Sequence, residues 1–311
     1  MTQAPTPTPT ADTVRRLVRT LLKEDPRGGG PEVRPVTEGG STTWWVGARH
    51  VLRLAADRDA AARQRRELRL RDLVRPHLPL AVPACVAHGE WSPGLTCSLD
   101  TRIPGGTAED HDVSAAGEGD LAGLFTGLRE VPVRQAEALG VPRAAPRSLE
   151  ALRRMAVAAA ARLAAADEFD AARLHQLTPL GATQLAAQPG TAVLVHHRLA
   201  AGHLVVGGDG RVRGVLDWRG AVLGDPAEDI AGLARAVGSP TAVRAATLAG
   251  YAARPCLRGL WLARCDTVIR LADRLAGHGT EPPPALRTEL AHAWEAILLE
   301  RVTELREGDG T

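Results

Sequence analysis

Residues 195–229 read VHHRLAAGHLVVGGDGRVRGVLDWRGAVLGDPAED. His196, His197 and His203 fall in a segment with no strand or helix period, so it is a loop. Leu204–Val206 and Arg211–Leu216 are short apolar runs, and Gly208-Asp209-Gly210 between them is turn chemistry, which predicts a hairpin. The second run ends in Asp217-Trp218. Gly224-Asp225-Pro226 follows, with a helical pattern from Ala227. An aspartate before proline at a helix start is an N-terminal cap.

Outward from this stretch, residues from about Glu32 to Ile103 are rich in strands. Val33–Val36, Thr42–Val46, His50–Leu54, Val82–Ala87 and Leu95–Ile103 carry the β-type residues. Gly47-Ala48-Arg49 and Trp91-Ser92-Pro93-Gly94 supply turns. Asp57–Val74 is a charged helix, and Asp12–Lys23 is an amphipathic one stopped by Glu24-Asp25-Pro26 and the glycine run at 28–30. Beyond Pro104-Gly105-Gly106 the chain turns helical. The helices expected there are Gly119–Glu130, Ser148–Ala165, Ala227–Ala236, Ala242–Ala252, Leu257–Leu275 and Pro284–Glu307. The strands expected there are Ala192–His196 and the two of the hairpin.

The order of loop, hairpin, Asp-Trp and Gly-Asp-Pro resembles the catalytic centre of the aminoglycoside phosphotransferase family, relatives of protein and choline kinases. In that family the loop runs roughly H-G-D-x-H-x-x-N, and the next strand ends in I-D-W or I-D-F. Here the loop is His196-His197-Arg198-Leu199-Ala200-Ala201-Gly202-His203. The resemblance spans about Val33–Gly238. It implies an α+β, two-lobed, protein-kinase-like fold with a small β-rich N-lobe and a larger helical C-lobe. Residues 1–10 would be a disordered tail, 11–104 the nucleotide clamp and 105–311 the helical lobe. It implies ATP or GTP as cofactor and a small-molecule ligand.

Residue by residue, the resemblance puts Arg198 at the catalytic aspartate and His203 at the metal-binding asparagine. Asp217 takes the magnesium-binding aspartate, and Asp225 and Asp229 match the pattern that braces the loop. In the small lobe, Gly39-Gly40-Ser41 would cover phosphates with backbone amides. Arg53 would stand for the phosphate-binding lysine, paired with Glu67. The same residues also suit a plain hairpin turn, an outward strand residue and a solvated helix face. Leu99–Gly106 resembles the hinge whose backbone meets an adenine edge.

Chemistry departs from the family at two positions. A guanidinium offers only donors and stays protonated, so Arg198 cannot take a proton from an acceptor hydroxyl. A positioned base contributes roughly 10²–10⁴ in rate. His196 and His197 are the nearest titratable replacements. Imidazole is a poor exchange for an oxygen donor on magnesium, so a magnesium site is expected to be weak or absent. The chain has one lysine, Lys23, and no asparagine anywhere to restore either role. A degenerate, nucleotide-binding pseudokinase is the expectation. The alternatives are an active phosphotransferase using His197 or a substrate-assisted route, and a structural partner that binds no nucleotide.

Composition limits the rest. A net charge of +2 and 3% aromatic residues give no basis for nucleic-acid binding. Nothing reads as a membrane span or signal peptide, so a cytoplasmic protein with reduced Cys85, Cys97, Cys256 and Cys265 is expected. The acidic clusters Glu109-Asp110-His111-Asp112 and Asp167-Glu168-Phe169-Asp170 fit either a cationic acceptor or solvated charge. No protein partner is named by these patterns.

Overall fold

The computed structural model describes residues 9–23, 31–36, 42–188, 190 and 192–297. The tail at 1–8, the helix-stop residues 24–30, the Gly39-Gly40-Ser41 turn and the chain after 297 lie outside the described residues. The chain divides into two compact units, one of Met1–Pro76 with Ala81–Pro104, the other of His77–Leu80 with Gly105–Thr311.

In the first unit a five-stranded antiparallel sheet is ordered β1-β2-β3-β5-β4. The strands are β1 (Val33–Pro35), β2 (Thr43–Val46), β3 (His50–Leu54), β4 (Cys85–Ser92) and β5 (Leu95–Thr101). Period-two alternation sends Trp44, Val46, Leu52, Leu54, Cys97 and Leu99 to one face. There they meet Val14 and Val18 of helix α1 (Ala11–Leu22). Burying each such aliphatic side chain stabilises by about 1.5–3 kcal/mol. Arg53, alternating with these, points to the other side. Helix α2 (Arg58–Val74) follows, its first turn capped by the Asp57 carboxylate accepting from the Ala60 amide at 2.6 Å.

The second unit begins with β6 (Gly106–Thr107), α3 (Ala115–Glu130), α4 (Val133–Ala138), α5 (Leu149–Ala165) and α6 (Pro179–Gln184). Strands β7 (Val193–Val195), β8 (Leu204–Val206), β9 (Val212–Val215) and β10 (Val222–Gly224) follow. Helices α7 (Ala227–Val237), α8 (Ser239–Leu248), α9 (Ala253–Leu275) and α10 (Pro283–Ala293) complete it. β8 pairs with β9 as a hairpin and with β6, while β7 pairs with β10. α9 packs against α5, α7 and α10. Beside it, Trp294 packs on Phe169 and Trp261, with the Arg173 and Arg264 guanidiniums over its ring.

Several boundaries differ from the sequence pattern. α8 starts at Ser239 rather than Ala242, because Pro240 is tolerated in a first turn. α9 likewise starts at Ala253, ahead of Pro255. α10 stops at Ala293, where buried Trp294 closes it. β6, β10, α4 and α6 have no counterpart in the sequence pattern, being two to six residues long and too short for a period to register. All four cysteines are free thiols. No helix among the described residues is long and apolar enough to cross a membrane.

Candidate functional site

The loop from His196 to His203 leaves β7 and enters β8, and β9 delivers Asp217 beside it. Leu216 donates its amide to the His203 carbonyl at 2.8 Å. On the far side α7 presents Asp229, whose two carboxylate oxygens accept from the His196 and His197 amides, each at 2.7 Å. Leu199 is buried against Gly232 of the same helix. One helix therefore clamps the loop backbone. Burial pushes the Asp229 carboxyl up to about 7, against the two amide donors that pull it down. Asp225 accepts from the Ala227 amide at 3.0 Å and is paired with buried Arg258 at 2.6 Å.

His196 is fully buried, stacked edge-on against Trp218 at 4.7 Å. Its Nε2 faces the Leu216 carbonyl at 2.9 Å, so Nε2 carries the proton and donates. Deep burial, with His203 beside it, pushes the imidazole down to about 3. A buried, neutral ring of this kind holds the loop and cannot exchange protons with an acceptor. His197 is exposed, with a left-handed backbone at φ +65°. That conformation suits glycine and costs roughly 1–2 kcal/mol in another residue.

Asp217 is the electrostatic centre. Its backbone is also left-handed, at φ +60°, which turns its carboxylate inward from the end of β9. Arg219 donates through Nε to Oδ1 at 2.6 Å. Arg198 brings Nε to 3.3 Å from Oδ2, and His203 brings Nε2 to 3.5 Å from the same oxygen. The His203 Nδ1 lies 2.6 Å from the Arg198 carbonyl and so is a donor, leaving Nε2 to face the carboxylate. Burial alone would raise the Asp217 carboxyl; Arg219, with Arg198 and His203, overrides that and holds it down at about 2.

Magnesium takes a near-octahedral set of oxygens. Here the one carboxylate is engaged by two guanidiniums and an imidazole, and its Oδ2 is buried without a hydrogen-bond donor. No group of three or more His, Cys, Asp or Glu side chains that could hold a metal occurs among the described residues. These residues do not fit a magnesium ion.

In the first unit Arg53 pairs with Glu67 at 3.0 Å, and both side chains are largely buried rather than solvated. Its Nε also donates to Asp100 at 3.0 Å, and Arg71 joins Asp100 at 2.8 Å. Of the acidic clusters, Glu168 is tied to Arg287 and Asp170 caps a 3-10 turn. Glu109 lies against Gly202 of the loop. The structure thus gathers His196, His197, Arg198, His203 and Asp217 around one loop in the second unit, and Arg53 and Glu67 in the first. Arg219 and Asp100 escape the sequence reading. Arg219 is folded back onto Asp217 by a single 3-10 turn, Trp218–Gly220. Asp100 reaches Arg53 only through the β3–β5 register.

A family model described as the phosphotransferase enzyme family, APH, matches residues 32–260. No curated protein sequence matches the chain. Among solved structures, the GDP complex of wild-type aminoglycoside 2'-phosphotransferase-IIIa is similar at 18% identity and TM-score 0.62, covering 90% of this chain and 98% of that one. Macrolide 2'-phosphotransferase from Brachybacterium faecium, an apoenzyme, gives 21% identity and TM-score 0.58 over 92% and 99%. The streptomycin–ATP complex of an aminoglycoside 2''-phosphotransferase gives 15% identity and TM-score 0.58 over 93% and 97%.

Proposed function

The chain belongs to the phosphotransferase enzyme family, and from that premise we propose that it is a degenerate, nucleotide-binding member, a pseudokinase. The observation that carries this reading is the pair of guanidiniums that, with the His203 imidazole, closes on Asp217. Where family chemistry needs a carboxylate to orient the acceptor hydroxyl, this loop presents the Arg198 guanidinium. Where it needs metal ligands, Asp217 is engaged by Arg198, Arg219 and His203. Neither guanidinium can take a proton from an acceptor hydroxyl. Nucleotide binding is supported by the Arg53–Glu67 pair, a phosphate-positioning arrangement in kinases, and by relatives solved with GDP and ATP. Arg198 and Arg219 would then face phosphate oxygens directly, as forked donors in place of a metal. A vestigial pocket for a hydroxylated small molecule fits the same premise, since the similar structures are aminoglycoside and macrolide phosphotransferases.

The test is ATP turnover against a panel of hydroxylated aminoglycosides and macrolides. The wild type is expected to be silent, and Arg198→Asp combined with His203→Asn to gain turnover. Ordinary kinase rates in the wild type would overturn the reading. A second reading rests on His197, which is exposed on a backbone fixed by Asp229. If His197 is a substitute base, a slow wild-type turnover disappears in His197→Gln.

A further inference from the structure

The second unit contains a cavity of about 220 Å³ that none of His196–His203, Asp217 or Arg219 lines. Its polar wall is Arg129, Arg254, Arg258, Asp225 and Tyr251, with Gln188 at one side. Arg258 is buried and fully engaged, by Asp225 at 2.6 Å and by the Leu185 and Arg147 carbonyls. Arg129 instead donates through Nη1 to the Ala249 carbonyl at 3.0 Å, and Arg254 through Nη2 to the Ala186 carbonyl at 3.0 Å. Neither is ion-paired among the described residues, because the one carboxylate of the wall is spent on Arg258. Three guanidiniums against one carboxylate leave a formal surplus of two positive charges around a partly enclosed space. Like charges held together there repel, and an anion relieves the repulsion.

The rest of the wall is apolar. Val193, Pro226 and Pro255 contribute, with the Tyr251 ring, which lies edge-on to Phe125 at 5.9 Å and carries the Arg129 guanidinium 5.1 Å from its centroid. Burial pushes the Tyr251 phenol up, so it is a neutral donor. A cavity of about 150 Å³ accepts benzene, so this volume suits roughly nine non-hydrogen atoms, the size of benzoate, and its open side leaves room for the slightly larger head of phenyl phosphate.

We propose that this cavity binds a small organic anion, a carboxylate or phosphate ester on a flat apolar body, with the anionic head on Arg129 and Arg254 and the body against Tyr251 and the prolines. The site is independent of the loop chemistry above. It is tested by calorimetric titration of the full chain with benzoate and phenyl phosphate, against neutral benzyl alcohol of similar shape. The anions are expected to bind roughly tenfold or more tighter than the alcohol, because forked, charge-assisted hydrogen bonds are the strong ones. Arg129→Gln with Arg254→Gln should erase that preference and leave benzyl alcohol unchanged. Equal binding of anion and alcohol to the wild type, or an unchanged preference in the double variant, overturns the proposal. So does failure of both anions to saturate by about 10 mM. A salt series on the wild type needs no variant: benzoate affinity should fall between about 50 and about 500 mM salt, and a flat series counts against the site.

Discussion

Asp217, Asp229 and His196 are three buried titratable groups within one loop's reach, and each is pushed a different way. Asp217 is held down at about 2, so it remains an anion at any working pH, with Arg219 bonded to Oδ1 and Arg198 and His203 facing Oδ2. His196 sits at about 3, below its ordinary value of 6.5, so between those values the unfolded chain holds more protons than the native one. Its stabilising contribution is therefore present above pH 6.5 and lost as pH falls. Asp229 is raised to about 7 from 3.8, so in that window the native chain holds the extra proton and stability grows as pH falls. The two slopes are opposite, each about 1.4 kcal/mol per pH unit where it is fully developed. Against the wild type, His196→Gln is expected to gain stability on acidification from pH 6.5 to pH 4.5, and Asp229→Asn to lose it, by roughly 2–3 kcal/mol each. Urea unfolding at a series of pH values checks this. Parallel curves for all three proteins would show that neither group titrates in that range.

At the scale of elements, α7 is the piece that carries the site, through close contacts on two sides. A Cβ at Gly232 would fall 2.7 Å from the Leu199 carbonyl oxygen, in the loop backbone. A Cβ at Gly259 of α9 would fall 2.7 Å from Ile230 Cβ and 3.0 Å from the Ala227 carbonyl oxygen. Alanine gains about 1 kcal/mol of helix propensity over glycine, and overpacking costs about 1–3 kcal/mol. At these two positions the opposing atoms are backbone or branched carbon, so the clash wins and both substitutions to alanine should destabilise. Gly119→Ala in α3, with nothing within 4 Å of the added carbon, should instead stabilise by up to about 1 kcal/mol. Urea midpoints of the three variants separate packing from propensity. A stabilising Gly232→Ala would mean that the loop is not clamped as described. None of these contacts shows in the sequence, where glycine in a helical run reads as a weak helix former. What the sequence does show is α7's start, through Asp225 before Pro226; that the aspartate four residues later grips the loop was implied only by the family resemblance.

For the whole molecule, the order of strands and then helices suited a generic α+β protein equally well; the family resemblance of the loop, Asp217-Trp218 and Gly224-Asp225-Pro226 is what singled out a kinase-like, two-lobed fold. Arg53 and Glu67, fourteen residues apart, were expected as a pair from the resemblance, with an outward strand residue and a solvated helix face as the alternative, and they meet at 3.0 Å. Arg219 was not readable, because its role depends on a three-residue turn, and Asp100 was not, because it depends on which strand pairs with β3. The missed residues change the chemistry. Without Arg219, Asp217 has only the more distant Arg198 and His203, at 3.3 and 3.5 Å from Oδ2; Arg219 adds a second guanidinium, hydrogen-bonded to Oδ1 at 2.6 Å. That has a consequence for the intact chain with nucleotide. A ligand that binds only the native state stabilises it by about 2.7 kcal/mol at a hundredfold excess over Kd. If guanidiniums receive the phosphates, ATP should raise the thermal midpoint equally in EDTA and in magnesium, and Arg198→Ala or Arg219→Ala should each diminish the rise. A rise that appears only with magnesium would return the metal to the site and contradict the cationic reading. No rise in either condition would leave a protein that keeps the phosphotransferase fold without its nucleotide.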